Sequence, residues 1–228
     1  MTDRSVTIVI ANKAYSSWSM RGWLAVRLAD IPFEEIVIPL RETNTRTEIL
    51  KYSPSAKLPA LIDGKVTVWE SLAIVEYLAE KHPHAPLWPK DPAARAHARS
   101  ISSEMHGGFI PMRRGLPMNV RRKLPQPDLD DAAKGDINRI QAIWRDCHRR
   151  FNGTMGTGPF LFGGFSAADA MFAPVVTRFD TYGVPLEDHA AAYVAAVLKQ
   201  PFVAEWIAAA GREPWIIPEF EPEGKDAG

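Results

Sequence analysis

Apolar positions along the first eighty or so residues change period several times. Residues 6–11 open with the β-branched run Val6, Thr7, Ile8, Val9, Ile10, which predicts a strand, and after a polar loop Met20, Leu24, Leu28 and Ile31 recur at helical spacing. A second strand is predicted over 33–38 after Pro32, then a short polar helix over 43–52 closed by Ser53-Pro54. Apolar runs at 58–62 and 66–69 flank Asp63-Gly64, with Lys65 completing the turn, and Asp-Gly between apolar runs is a strong hairpin signal. Leu72, Val75, Leu78 and Ala79 then mark one face of a helix that stops at Lys81-His82-Pro83. The predicted order is βαβαββα.

This regularity breaks at Pro83, Pro86, Pro89 and Pro92. Each proline lacks a backbone donor and clashes with the preceding turn, so neither a helix nor a central strand is expected there. The chain is therefore divided into residues 1–83, a linker at 84–92, and residues 93–228, where only helical patterns occur. Ile137, Ile140, Trp144, Cys147 and Phe151 form one stripe, and Ala168, Phe172, Val175, Val176 and Phe179 another. Cys147 on such a stripe is expected to pack rather than react. Ser166-Ala167-Ala168-Asp169 is an Asp variant of the capping box, with the Ser166 hydroxyl accepting from a first-turn amide, Asp169 reaching back to the Ser166 amide, and Phe165 as an apolar staple. Pro174 inside the second stripe should remove a hydrogen bond and bend the helix. The acidic tail after Pro218 is expected to fray.

Composition narrows the function classes. Across 228 residues, 27 Lys+Arg balance 27 Asp+Glu, so there is no overall field to hold nucleic acid or an anionic membrane surface. The early apolar run is too short for a secretory signal or a membrane span, which needs about 20 apolar residues. Cys147 is the single cysteine, which excludes an intrachain disulfide and dithiol redox chemistry and points to a cytoplasmic protein.

Three places could carry chemistry. Ser16, Ser17 and Ser19 lie in the loop before the first helix, where a hydroxyl and the positive end of the helix could together meet a thiolate; they also suit ordinary capping. Glu70-Ser71 opens the helix after the hairpin, so Ser71 could take a carboxylate and Glu70 the neighbouring ammonium, an amino-acid clamp in residues that again suit a cap. Pro59 is compatible with a trans bond at a strand edge; a cis bond would turn the Leu58 backbone outward to pair with an extended peptide.

Ser16-Ser17-Trp18-Ser19-Met20-Arg21, Lys57-Leu58-Pro59-Ala60-Leu61 and Glu70-Ser71-Leu72-Ala73-Ile74 follow one another in that order. With them the chain resembles the cytosolic glutathione transferases over nearly its whole length. The first loop is most similar to the serine-type zeta class, which contains maleylacetoacetate isomerases, although Trp18 stands where that class has cysteine, and Asn12-Lys13 and Trp23 are closer to a bacterial subgroup. The resemblance implies a thioredoxin-like α/β domain followed by an all-α domain, glutathione as cosubstrate, a small electrophile as second substrate, and a homodimer. It implies that Ser16, or else Ser17, donates to the glutathione sulfur, that Pro59 is cis, that the Leu58 backbone pairs with the cysteinyl unit, that Glu70 and Ser71 hold the γ-glutamyl end, and that Lys57 meets the glycyl carboxylate. The expected activity is conjugation of glutathione to an electrophile. The alternatives are glutathione-dependent cis-trans isomerisation and a non-catalytic binding module. Arg113 and Arg114, within a basic stretch that includes Arg121, Arg122 and Lys123, border the electrophile site in the resembled family and would favour acidic electrophiles; a solvated face is the other reading.

Overall fold

Alternation in the first strand sorts its side chains onto two faces. In the computed structural model, which describes residues 6–151 and 158–221, Val6, Ile8 and Ile10 of β1 (Val6–Ile10) enter the main core with Leu24, Leu61 and Ile74. Val9 points the other way, into a smaller cluster with Ile38, Ile49 and Ala60. That period of two places helices on both faces. α1 (Ser17–Ala29) and α3 (Ser71–Lys81) contribute to the main core, while α2 (Thr45–Leu50) contributes Ile49 to the smaller one.

β2 (Phe33–Val37) runs parallel to β1, β3 (Ala60–Asp63) antiparallel to β1, and β4 (Val66–Trp69) antiparallel to β3, giving the order β2-β1-β3-β4. The hairpin turns at Gly64, whose φ of 63° suits a residue without Cβ. β3 starts at Ala60 and not at residue 58: Pro59 has no amide to give a neighbour, and the Leu58-Pro59 bond is cis.

α4 (Pro92–Gly107) begins where the proline-rich stretch ends, because Pro92 in a first turn forfeits only an amide that would be unpaired anyway, and the Asp91 side chain accepts from the Ala94 amide at 2.8 Å. α5 (Ile110–Gly115), α6 (Asp131–Phe151), α7 (Ala167–Thr181), α8 (Asp188–Lys199) and α9 (Pro201–Ala210) follow. The centre of this half is aromatic: Trp144 of α6 lies 4.8 to 6.0 Å, centroid to centroid, from Tyr193, Phe179 and Phe172. α7 is buried through most of its length and meets α1, where the Arg21 Nε–H donates to the Met171 carbonyl at 2.8 Å.

The Ser166 box forms, and its hydroxyl is turned further inward than a simple cap requires. The Ser166 amide and hydroxyl both donate to Asp169 Oδ2 at 2.9 Å, while Oδ1 accepts from the Leu161 amide and the Tyr193 hydroxyl at 3.1 Å. α7 continues through Pro174, whose carbonyl accepts from Thr177 Oγ1 and Arg178 Nη1. Cys147 is fully buried, and burial together with Asp169 and Asp146 pushes its thiol up to about 12. The start of the tail does not fray. A 3-10 turn at Pro218–Phe220 is pinned by the Asn119 side chain on the Phe220 carbonyl, and Glu221 accepts from Tyr15. The rest of the tail lies outside the described residues. Among the described residues, no helix is long and apolar enough to cross a membrane.

Candidate functional site

The loop from β1 to α1 is tied down on several sides before it reaches its serines. Asn12 Oδ1 accepts from the Leu40 amide at 2.7 Å, the Glu213 carboxylate accepts from the amides of Lys13 and Ala14 at 2.7 and 3.1 Å, and the Trp206 indole donates to the Lys13 carbonyl at 3.0 Å. Lys13 pairs with Glu35, and Tyr15 donates to Glu221 at 2.6 Å while accepting from Arg121. Arg121 and Arg122 of the basic stretch are thus committed to the tail through Glu221.

Ser16 then becomes the N-cap of α1. Its oxygen accepts from the Ser19 amide at 3.3 Å and its hydroxyl donates to Ser19 Oγ at 2.9 Å, which itself accepts from the Ala11 amide at 2.9 Å. No acidic residue occupies the first turn, so no side chain of the turn itself offsets the positive field at this helix end. Ser16 lines a cleft of about 510 Å³ together with Trp18, Lys57, Leu58, Glu70 and His106. Ser17 faces an adjoining cleft of about 610 Å³, shared with Ser16 and Trp18 and walled also by Arg41, Arg46 and Phe220.

Pro59 lies directly behind the first cleft, buried against α1. A Cβ at Gly22 would come within 2.7 Å of Pro59 Cγ, so the missing side chain is what admits this loop. Glu70 precedes α3 at φ 70° and ψ 126°, a conformation disfavoured for a residue with a Cβ and one met at functional sites. Its carboxylate makes no capping bond and is 44% exposed toward the cleft. Ser71 is fully buried behind it, with its hydroxyl unpartnered among the described residues.

Arg113 and Arg114 do not form the wall of either cleft. α5 is short, and Arg113 turns back to donate to the carbonyls of Met105 and His106 at the end of α4, where burial holds its guanidinium below the ordinary range. It stands behind the cleft wall, against His106 and Trp18: the guanidinium carbons of Arg113 and Arg21 each lie 4.8 Å from the indole centroid. Arg114 is exposed. The guanidiniums beside the adjoining cleft are those of Arg41 and Arg46.

His106 is a polar wall residue that the sequence did not single out. Its ring meets Trp18 edge-on at 5.0 Å, and its Nε2 lies 3.7 Å from Glu70 Oε2. Its place before Gly107-Gly108, at the end of a helix, was the available signal, and nothing in one sequence couples that helix end to Glu70.

A four-stranded mixed sheet with helices on both faces, a serine-capped helix beside the sheet and a following helical half define the class: a thioredoxin-like domain followed by an all-α domain. The N-terminal domain model of glutathione S-transferase matches residues 15–81, and the C-terminal domain model matches residues 134–209. Maleylacetoacetate isomerase of Rattus norvegicus is 30% identical over 76% of this chain and 79% of its own length. A probable maleylacetoacetate isomerase of Caenorhabditis elegans is 42% identical over 42% of this chain, a match that spans only 45% of the nematode protein. The crystal structure of a glutathione transferase homologue from Burkholderia with bound glutathione superposes with a TM-score of 0.67, covering 91% of this chain and 98% of that one at 21% identity, a likeness of fold. The chain belongs to the glutathione S-transferase family, as a zeta-like member.

Proposed function

We propose that the protein binds glutathione in the cleft between Ser16 and Glu70, stabilises its thiolate, and conjugates it to a small electrophile. The observation that carries this reading is that the Ser16 hydroxyl, at a helix N-terminus with no acidic residue in its first turn, shares one cleft with Lys57, Leu58 and Glu70. Glu70 takes the ammonium of the γ-glutamyl unit, the buried helix start at Ser71 its carboxylate, the Leu58 backbone the cysteinyl unit before cis-Pro59, and Lys57 the glycyl carboxylate. Ser16 serves as donor to sulfur. Its hydrogen now points to Ser19 Oγ; when it swings to the sulfur, the Ser19 hydroxyl can donate to Ser16 Oγ in return, across the same 2.9 Å. The attacking pair on sulfur forms the new carbon–sulfur bond, and the electrophile's leaving group departs with its bonding pair or its π electrons are taken up by a proton.

The same thiolate can add to a cis double bond, allow rotation and leave again, with glutathione unchanged. The isomerase relatives support this second reading, and Arg46 beside the adjoining cleft suits an acidic substrate, as does Arg41 where the substrate displaces its exposed partner Glu219. Residues 1–83 act as the glutathione-binding domain, 84–92 as the linker and 93–228 as the domain that completes the electrophile site. A cytoplasmic homodimer is the setting we propose, supported by the family.

Titrating the thiolate absorbance of glutathione on the wild type and on Ser16→Ala tests the reading. A charge-assisted hydrogen bond of roughly 1.5–3 kcal/mol corresponds to a depression of about one to two pH units in the wild type, lost in the variant. Binding without any shift turns the protein into a non-catalytic module. A shift that survives in Ser16→Ala moves the role to Ser17 or to the positive end of the helix.

A further inference from the structure

We propose that His106 is a positioning residue for Glu70 that makes capture of the γ-glutamyl ammonium proton-gated; this rests on the glutathione reading of the cleft. His106 is carried by α4, whereas Glu70 opens α3 after the hairpin, so the contact is made across the two halves of the chain. Its Nε2 stands 3.7 Å from Glu70 Oε2, short of a full hydrogen bond but close enough to orient the carboxylate when the hydrogen is on Nε2. One contact holds the ring and one the backbone that carries it. Trp18 meets it edge-on at 5.0 Å, and Arg113 donates to its carbonyl at 3.3 Å. Its Nδ1 is buried with no partner among the described residues, so the edge of the ring presented to the cleft is the Nε2 edge.

The charges facing His106 come from several elements: Glu70 ahead of α3, Arg21 of α1 and Arg113 of α5, with Lys57 on the same cleft. Burial and the two guanidiniums hold the imidazole below its ordinary value against the opposing pull of Glu70. An imidazole so held is uncharged at neutral pH and does not compete with the ligand's ammonium for Glu70. Below its lowered titration point it becomes an imidazolium beside Glu70, where it competes with that ammonium and repels it. Affinity must then fall as pH falls, in a window on the acid side of the ordinary histidine value of about 6.5, where neither the ammonium nor the carboxylates of the ligand titrate.

The test is calorimetric titration with S-methylglutathione between pH 5.0 and 7.5, since the blocked thiol removes any contribution from thiolate formation. The expected result for the wild type is affinity that falls steadily toward the acid end, by no more than about tenfold per pH unit, the limit for one competing proton. For His106→Gln, which keeps an N–H donor, we expect neutral-pH affinity within about twofold of wild type and no pH dependence; His106→Ala should be equally flat but about three- to tenfold weaker throughout. Wild-type acid weakening that persists in His106→Gln, or a wild type with no acid weakening, overturns the proposal while leaving glutathione binding intact. Failure of the wild type to bind either glutathione or S-methylglutathione at pH 7 overturns the reading of the cleft, and the proposal with it.

Discussion

Two helices of this protein start at a serine, and their fates differ. Ser166 at the head of α7 is followed three residues later by Asp169, and the pair closes on itself in the core. Ser16 at the head of α1 is followed three residues later by Ser19, so its helix end meets a neutral hydroxyl and a cleft. A serine at a helix start is thus structural in one place and available for chemistry in the other. What separates them is one charge in the first turn and whether the helix end faces protein or solvent.

The largest effect should come from breaking the closed end. Asp169→Ala strands four donors, the amides of Leu161 and Ser166 and the hydroxyls of Ser166 and Tyr193, inside the core. Denaturant unfolding should register a loss of about 3–5 kcal/mol; a loss under about 1 kcal/mol would show that this end is not held by its acid. Closing the open end is the converse experiment. Ser19→Asp gives α1 the spacing of Ser166 and Asp169, and a carboxylate beside Ser16 should abolish the depression of the glutathione thiol, a change of about 1.4–2.7 kcal/mol in thiolate preference by absorbance titration. Retention of the shift would mean that the helix end does not act on sulfur. The smallest effect is expected for Ser166→Ala, about 1 kcal/mol in stability with glutathione affinity unchanged by calorimetry.

Much of the sheet was legible because its signals are local. Alternation at Val6 to Ile10, the Asp63-Gly64 turn and the stripe ending at Lys81 each depend on residues a few places apart, and the strands and helices they announce are present. The start of β3 was read two residues early because an apolar Leu58 looks like strand while the backbone at Pro59 does not behave as one. The tail was read as loose because it is acidic and contains proline, yet Glu221 is where Tyr15, Asn119 and Arg121 converge. Family resemblance, not any local pattern, points Arg113 and Arg114 toward the electrophile site, and a short helix with two backbone carbonyls behind it sets the Arg113 guanidinium against the Trp18 ring.

The sequence by itself determined the order of elements, the capping residues and the chemical types available: hydroxyls before α1, a carboxylate and a hydroxyl at the start of α3, a proline before β3. Those are properties of neighbouring residues, settled by period, turn chemistry and propensity. Only the tertiary structure decided that Ser16, Lys57, Leu58 and Glu70 share one cleft, that Ser71 and Pro59 stand behind its wall, and that His106 of α4 meets Glu70. Such neighbours are made by the packing of separate elements, and packing depends on the shape and burial of the whole core, which no local pattern encodes.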